Sequence, residues 1–131
     1  MHGDKMKKTI QLNYKSIFKY DDHHETVKYQ SKGTYVKDDK KERITFYQND
    51  KKIEITIKGN DVLLVNGNAM LNLSYHRRVF NYYQTPYGLI ELYTELVTLE
   101  HERNIKLIYM LYDGKQKISE VYVLINYEFM E

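Results

Sequence analysis

From Lys7 to Tyr20 the chain alternates with a period of two. Ile10, Leu12, Tyr14, Ser16, Phe18 and Tyr20 share one face, and Thr9, Gln11, Asn13, Lys15 and Lys19 share the other. Such alternation is the signature of a half-buried β-strand. Residues 25–37 repeat it, with Val27, Tyr29, Ser31, Gly33 and Tyr35 on one side. The polar cluster Asp21-Asp22-His23-His24 lies between them. A hairpin closing on His23-His24 sets Tyr20 opposite Val27, Phe18 opposite Tyr29, Ser16 opposite Ser31, Tyr14 opposite Gly33 and Leu12 opposite Tyr35. All apolar positions then share one face, which a slip of one residue would destroy, and the Tyr14 ring would cover a strand glycine.

Turn chemistry extends the pattern. Asn49-Asp50 as a two-residue turn places Phe46 opposite Ile53 and Ile44 opposite Ile55. Gly59-Asn60 pairs Ile57 with Val62 and Ile55 with Leu64, and Gly67-Asn68 pairs Leu64 with Leu71 and Val62 with Leu73. A loop over Glu100–Arg103 sets Leu96 against Leu107 and Leu92 against Leu111. Asp113-Gly114-Lys115, read as a bulged loop, sets Leu107 against Val121 and Ile105 against Val123. Glu91–Arg103 also carries Leu92, Leu96 and Leu99 at helical spacing among good helix formers, but the loop register favours a strand. Residues 79–99 read as one strand bent at Thr85-Pro86-Tyr87-Gly88, or as two strands meeting there, with Phe80, Tyr82, Ile90 and Leu92 in phase. Pro86 cannot donate to a ladder, and Gly88 allows a bend. The expected fold is all-β: an up-and-down antiparallel meander of about eight to ten strands, whose long first and last strands pair to close a barrel. The same patterning allows a two-sheet sandwich.

Length fits one domain spanning residues 1–131, with residues 1–6 a loose start. Charges nearly balance, at 20 basic against 18 acidic residues, so nucleic acid is not an expected partner. No cysteine is present, which excludes disulfides, thiolate metal sites and thiol nucleophiles. No apolar run reaches membrane-spanning length, and no signal-peptide core occurs in the first 30 residues. The expectation is a cytoplasmic protein with no membrane contact. The 14 tyrosines accompany 16 Lys and 9 Asn, a combination that an AT-rich genome produces as readily as a tyrosine-lined site does.

The segment Tyr83-Gln84-Thr85-Pro86-Tyr87-Gly88, continuing into Leu89-Ile90-Glu91-Leu92, resembles the signature of a family of uncharacterised bacterial proteins named after YwiB. The run Leu107–Lys115 and the final strand Val121–Tyr127 resemble that family's last hairpin. The resemblance implies a lipocalin-like, calycin-type closed barrel and no particular activity. The chain departs from the family's pattern at Val65-Asn66-Gly67-Asn68, where no basic residue precedes the glycine, so no anion-binding role carries over to that turn.

Candidate chemistry is sparse. Asp21-Asp22-His23-His24-Glu25 is the densest set of metal-ligating types, but adjacent histidines on an extended chain point apart, and a solvated turn is the simpler reading. His76-Arg77-Arg78 reads as a polar turn able to meet an anion. No Ser-His-Asp order, Gly-rich phosphate loop or H-E-x-x-H motif occurs. No enzyme and no cofactor are therefore expected; an enzyme would need His76 or His23 and His24 to meet a carboxylate in a cleft. Inside the barrel, Ser16, Ser31, Ser119 and Thr94 interrupt an aromatic lining, with Ser119 and Thr94 both expected beside Tyr109. That lining has the character of a ligand pocket, although small and large side chains also alternate in a filled barrel. The candidate ligand-binding residues are Tyr14, Ser16, Phe18, Tyr29, Ser31, Tyr87 and Tyr109, with Arg77 and Arg78 available for an acidic group. A small-molecule ligand is the first expected partner. The second is a homodimer or other protein partner, formed through an outer patch of Leu63, Val65 and Met70.

Overall fold

The alternation becomes ten antiparallel strands in the computed structural model, which describes residues 6–130. They are β1 (Met6–Lys19), β2 (His24–Lys37), β3 (Glu42–Gln48), β4 (Lys51–Lys58), β5 (Asp61–Asn66), β6 (Ala69–Ser74), β7 (Arg78–Thr85), β8 (Gly88–Glu100), β9 (Ile105–Asp113) and β10 (Gln116–Phe129). Glu91–Arg103 holds no helix; most of it belongs to β8. The expected loose start falls mainly on residues 1–5, outside the described residues, while Met6 already opens β1. No helix among the described residues is long and apolar enough to cross a membrane.

Every connection among the described strands except that from β6 to β7 is a hairpin, and the sheet is joined across its middle where β1 pairs with β10, from Ile10 with Phe129 to Lys19 with Glu120. The first and last strands pair as expected, but the ladder does not run all the way round: β6 and β7 remain as the sheet's two edges, and the barrel is nearly closed. An up-and-down meander places successive turns at alternate ends. The upper end holds the turns at residues 20–23, 49–50, 67–68, 86–87 and 114–115; the lower end holds those at 38–41, 59–60, 75–77 and 101–104. Ile10, Leu12, Ile44, Phe46, Ile55, Leu96, Leu107 and Ile125 are buried in the lining.

Three tight turns set the register as the sequence predicts. Asn49 and Asp50 both adopt positive φ, and Phe46 meets Ile53. Gly59 and Gly67 adopt positive φ at the next two turns, and Ile57 meets Val62 while Leu64 meets Leu71.

Elsewhere the register differs. The first hairpin turns on Asp21-Asp22, with Tyr20 N donating to His23 O at 2.8 Å and the two rings stacked at 4.7 Å. Pairing therefore moves by four positions: Tyr14 meets Tyr29 instead of Gly33, Ser16 meets Val27, and Ser31 meets Leu12. Aspartates suit turn positions better than histidines, and an even shift keeps every side chain on its face. A bulge at Val97 sets Leu96 against Tyr109 and Thr94 against Leu111. A tighter turn after Asp113, with a bulge at Ile118, sets Tyr109 against Val121 and Ser119 against Leu111.

The Thr85–Gly88 tetrad is a hairpin turn between two strands, not a bend in one. Thr85 pairs with Gly88, the Thr85 hydroxyl donates to Gly88 O at 2.8 Å, and it accepts from Tyr87 N at 3.1 Å. A two-residue turn pairs even positions of β7 with odd positions of β8, as Phe80 with Tyr93. Phe80 and Tyr82 consequently face outward, and Val79, Asn81 and Tyr83 face in.

Candidate ligand site in the upper barrel

Between the edges β6 and β7 the wall is closed by side chains. Asn72 N donates to Asn81 Oδ1 at 2.7 Å, and Asn81 Nδ2 donates to Asn72 O at 3.0 Å. The Asn81 amide thus meets the Asn72 backbone as the peptide of a neighbouring strand would. The Thr94 hydroxyl, from β8, donates to the same Asn72 O at 2.6 Å and accepts from Asn81 Nδ2 at 3.2 Å. Below this clasp Ser74 bridges Arg77, and Tyr75 bridges Leu96. Above it no backbone pair joins β6 to β7 among the described residues.

A cavity of ≈ 150 Å³ lies behind that upper gap. Its apolar wall includes Phe18, Ile53, Ile55, Leu64, Leu71, Leu92, Leu111 and Val123, and Tyr14, Tyr83 and Tyr109 bring phenols to it. Asn66, Ala69 and Tyr83 also border a surface depression between the Gly67-Asn68 and Pro86-Tyr87 turns, shared with Lys51, Asn68, Gln84, Thr85 and Pro86. The gap between β6 and β7 is therefore the mouth.

The wall opposite shows why space remains. β2 pairs with β3 only from Gly33–Phe46 downward. Above that point Tyr14 stacks on Tyr29 at 4.8 Å, and both lean on Phe46 at 5.7 and 6.0 Å. The Tyr29 hydroxyl is buried with no hydrogen-bond partner among the described residues. Burial pushes the phenols of Tyr14, Tyr29 and Tyr109 up, with a hydrogen bond from Ser16 partly offsetting the shift at Tyr14. Nearby Tyr14 raises Tyr29 further, and Tyr14 and Tyr83 raise Tyr109.

The lower end is plugged. The Tyr35 hydroxyl donates to Glu42 Oε2, while His101 Nδ1 lies 2.7 Å from Glu42 Oε1 and so ties the 101–104 loop to β3. Tyr127 stacks on Tyr35 at 5.5 Å. Burial is again the main cause that raises Tyr35 and Tyr127, and the Glu42 carboxylate adds to it.

A raised phenol pKa means the folded barrel holds that proton more tightly than the unfolded chain does. The resulting stability is complete below the unfolded value of about 10 and is lost as pH rises toward the folded values. An alkaline titration followed at 295 nm should therefore show two phases. Tyr14, Tyr29, Tyr35, Tyr109 and Tyr127 should ionise only with the loss of β-sheet circular dichroism. A single gradual phase with the dichroism intact would contradict these burials.

Of the residues singled out from sequence, the structure gathers Tyr14, Phe18 and Tyr109 on the cavity, Tyr29 behind Tyr14, and Ser16 buried beside them. The others lie elsewhere. Ser31 does not face Ser16; its hydroxyl donates to Lys32 O at 2.9 Å. Arg77 borders a depression at the lower end with Lys58, Asp61 and Ser74. Arg78 is on the outer face, 4.0 Å from Glu95 and over the Tyr112 ring at 3.8 Å. Tyr87 is 99% exposed at its turn tip. Thr94 belongs to the clasp, and Ser119 donates to Lys19 O at 3.1 Å. His23 contacts Asp22 at 2.6 Å on an exposed turn, and His76 packs on Tyr75. No group of three or more His, Asp or Glu able to hold a metal occurs among the described residues. The outer pair Val65–Met70 forms as expected, and exposed Phe80, Tyr82 and Leu89 add a second apolar area on the β7–β8 hairpin.

Sequence reasoning missed Asn81, Tyr83 and the Glu42–His101 contact. For Asn81 one signal was present: an amide set between the aromatic residues Phe80 and Tyr82.

No curated protein matches the chain. Among solved structures, the crystal structure of the ywiB protein from Bacillus subtilis superposes with a TM-score of 0.77 at 20% identity, over 95% of this chain and 94% of that one. That likeness shows a shared fold, a lipocalin-like up-and-down meander in a nearly closed barrel. A family model described as a domain of unknown function, DUF1934, matches residues 10–125, and the chain belongs to that YwiB-like family.

Proposed function

We propose that this chain is a non-enzymatic cytoplasmic binding protein that encloses a small, largely apolar ligand in the upper half of its barrel, without a cofactor. The observation that carries this reading is the ≈ 150 Å³ cavity behind the unpaired stretch of β6 and β7. Affinity comes from apolar burial and aromatic contact, and the phenols orient the guest. A void of about that volume with apolar walls admits benzene, so benzene is a suitable probe. Its addition should shift the amide resonances of Leu71, Leu92, Tyr109 and Val123 saturably and leave those of Tyr35 and Glu42 unmoved. Absence of a saturable shift at benzene's solubility limit would remove this reading.

A further inference from the structure

We infer that the natural ligand is uncharged and carries a hydrogen-bond acceptor such as a carbonyl oxygen, received by the phenols in the cavity; this rests on the binding role proposed above.

Besides Asn66 and Glu54, the polar side chains at the cavity are phenols, each with a proton to donate. Tyr14, Tyr83 and Tyr109 line it from β1, β7 and β9, and the three lie close enough for Tyr14 and Tyr83 to act on the Tyr109 phenol. Tyr109 is itself buried, and neither its hydroxyl nor that of Tyr83 is hydrogen-bonded to another described residue. A phenol donates one hydrogen bond, and an unmet donor in an apolar interior is costly. An acceptor on the guest would relieve that cost, whereas a hydrocarbon would not.

Charge is disfavoured on the same walls. Among the described residues, no Lys, Arg or His lines the cavity. Glu54 borders it, but its carboxylate is held by Arg43 at 3.3 Å and Lys52 at 3.5 Å. A carboxylate guest would be buried without a counter-ion. Lys51 stands only at the outer depression, beyond the mouth. The volume of ≈ 150 Å³ limits the guest to a single ring with a short substituent.

Three probes of one shape test this: acetophenone, α-methylstyrene (the carbonyl replaced by a methylene) and benzoate. Binding is measured by titration of the full chain, alone and as Tyr14→Phe, Tyr83→Phe and Tyr109→Phe. Acetophenone should bind about tenfold tighter than α-methylstyrene, the value of roughly one neutral hydrogen bond, and benzoate should bind weakest. One of the Tyr→Phe variants should erase the acetophenone preference and leave α-methylstyrene binding unchanged. Equal binding of the two neutral probes, or a preference untouched by all three variants, overturns the acceptor assignment while the binding role stands. Tightest binding by benzoate overturns the uncharged assignment. Failure of benzene and of all three probes overturns the binding role and this inference together.

Discussion

Gly33→Ala is expected to cost the barrel about 2 kcal/mol, although alanine normally stabilises a strand relative to glycine. A Cβ at this position would stand 2.6 Å from Thr45 O, a backbone atom that cannot rotate away, and 3.2 Å from both Leu12 Cδ2 and Phe46 Cβ. Overpacking of this kind costs on the order of 1–3 kcal/mol, toward the upper end when backbone must move. Against it stands a gain of about 0.4–1 kcal/mol from the stiffer unfolded chain. The clash wins. At roughly 4 °C per kcal/mol for a domain of this size, the midpoint of thermal unfolding should fall by roughly 8 °C. A rise in midpoint would mean that β2 and β3 separate without penalty at this level.

The position also explains the pocket. Gly33–Phe46 is the last pair joining β2 to β3 before the strands part, and Tyr14 and Tyr29 occupy the space above. Glycine lets the two backbones approach closely at the point of divergence. An alanine there would push Phe46 against the tyrosine stack, so any ligand binding in the cavity should weaken along with stability.

How much of this was legible depended on which constraint was local. Asn49-Asp50, Gly59-Asn60 and Gly67-Asn68 could be placed because positive φ is demanded by the turn itself and met by few residue types. The first hairpin could not, because a shift of four leaves every residue on its own face; only the choice of Asp21-Asp22 over His23-His24 decides it. The bulges at Val97 and Ile118 answer to the curvature of the closed wall, which no short window contains. β7 misled through its composition: aromatic Phe80 and Tyr82 resemble a core face, yet the tight Thr85–Gly88 turn sends them outward.

The same division holds for the site. Tyr14, Phe18 and Tyr109 follow from alternation alone, and the structure brings them together. Tyr83 depends on the phase of β7, and Leu64, Leu71 and Ile53 join the cavity because β4–β6 curl round to face β1. Arg77 and Arg78 were displaced by topology. Alternating turns put residues 75–77 at the lower end, and strand phase puts Arg78 outside.

Asn81→Leu should destabilise the barrel by about 2–4 kcal/mol, because it exchanges a strand-like contact for a side chain of the same branched shape that can make none of it. Asn72 N would lose its acceptor at 2.7 Å, and Asn72 O would keep only the Thr94 hydroxyl. A part-buried amide left without its acceptor costs about 1–3 kcal/mol, the bond lost at Asn72 O costs about 1 kcal/mol more, and the small apolar gain from leucine does not offset the two. Asn81→Asp should be at least as damaging. It can still accept from Asn72 N, but it sets a buried carboxylate against Asn72 O in place of a donor at 3.0 Å. Denaturant unfolding gives the stabilities, and hydrogen exchange at the Asn72 amide reports the clasp directly, with protection lost in both variants. If apolar contact alone held β6 to β7, leucine would instead stabilise the barrel and Asn72 would stay protected. Because the clasp is the lower limit of the mouth, its loss should extend the opening toward the Ser74–Arg77 bridge, and any ligand in the cavity should leave faster.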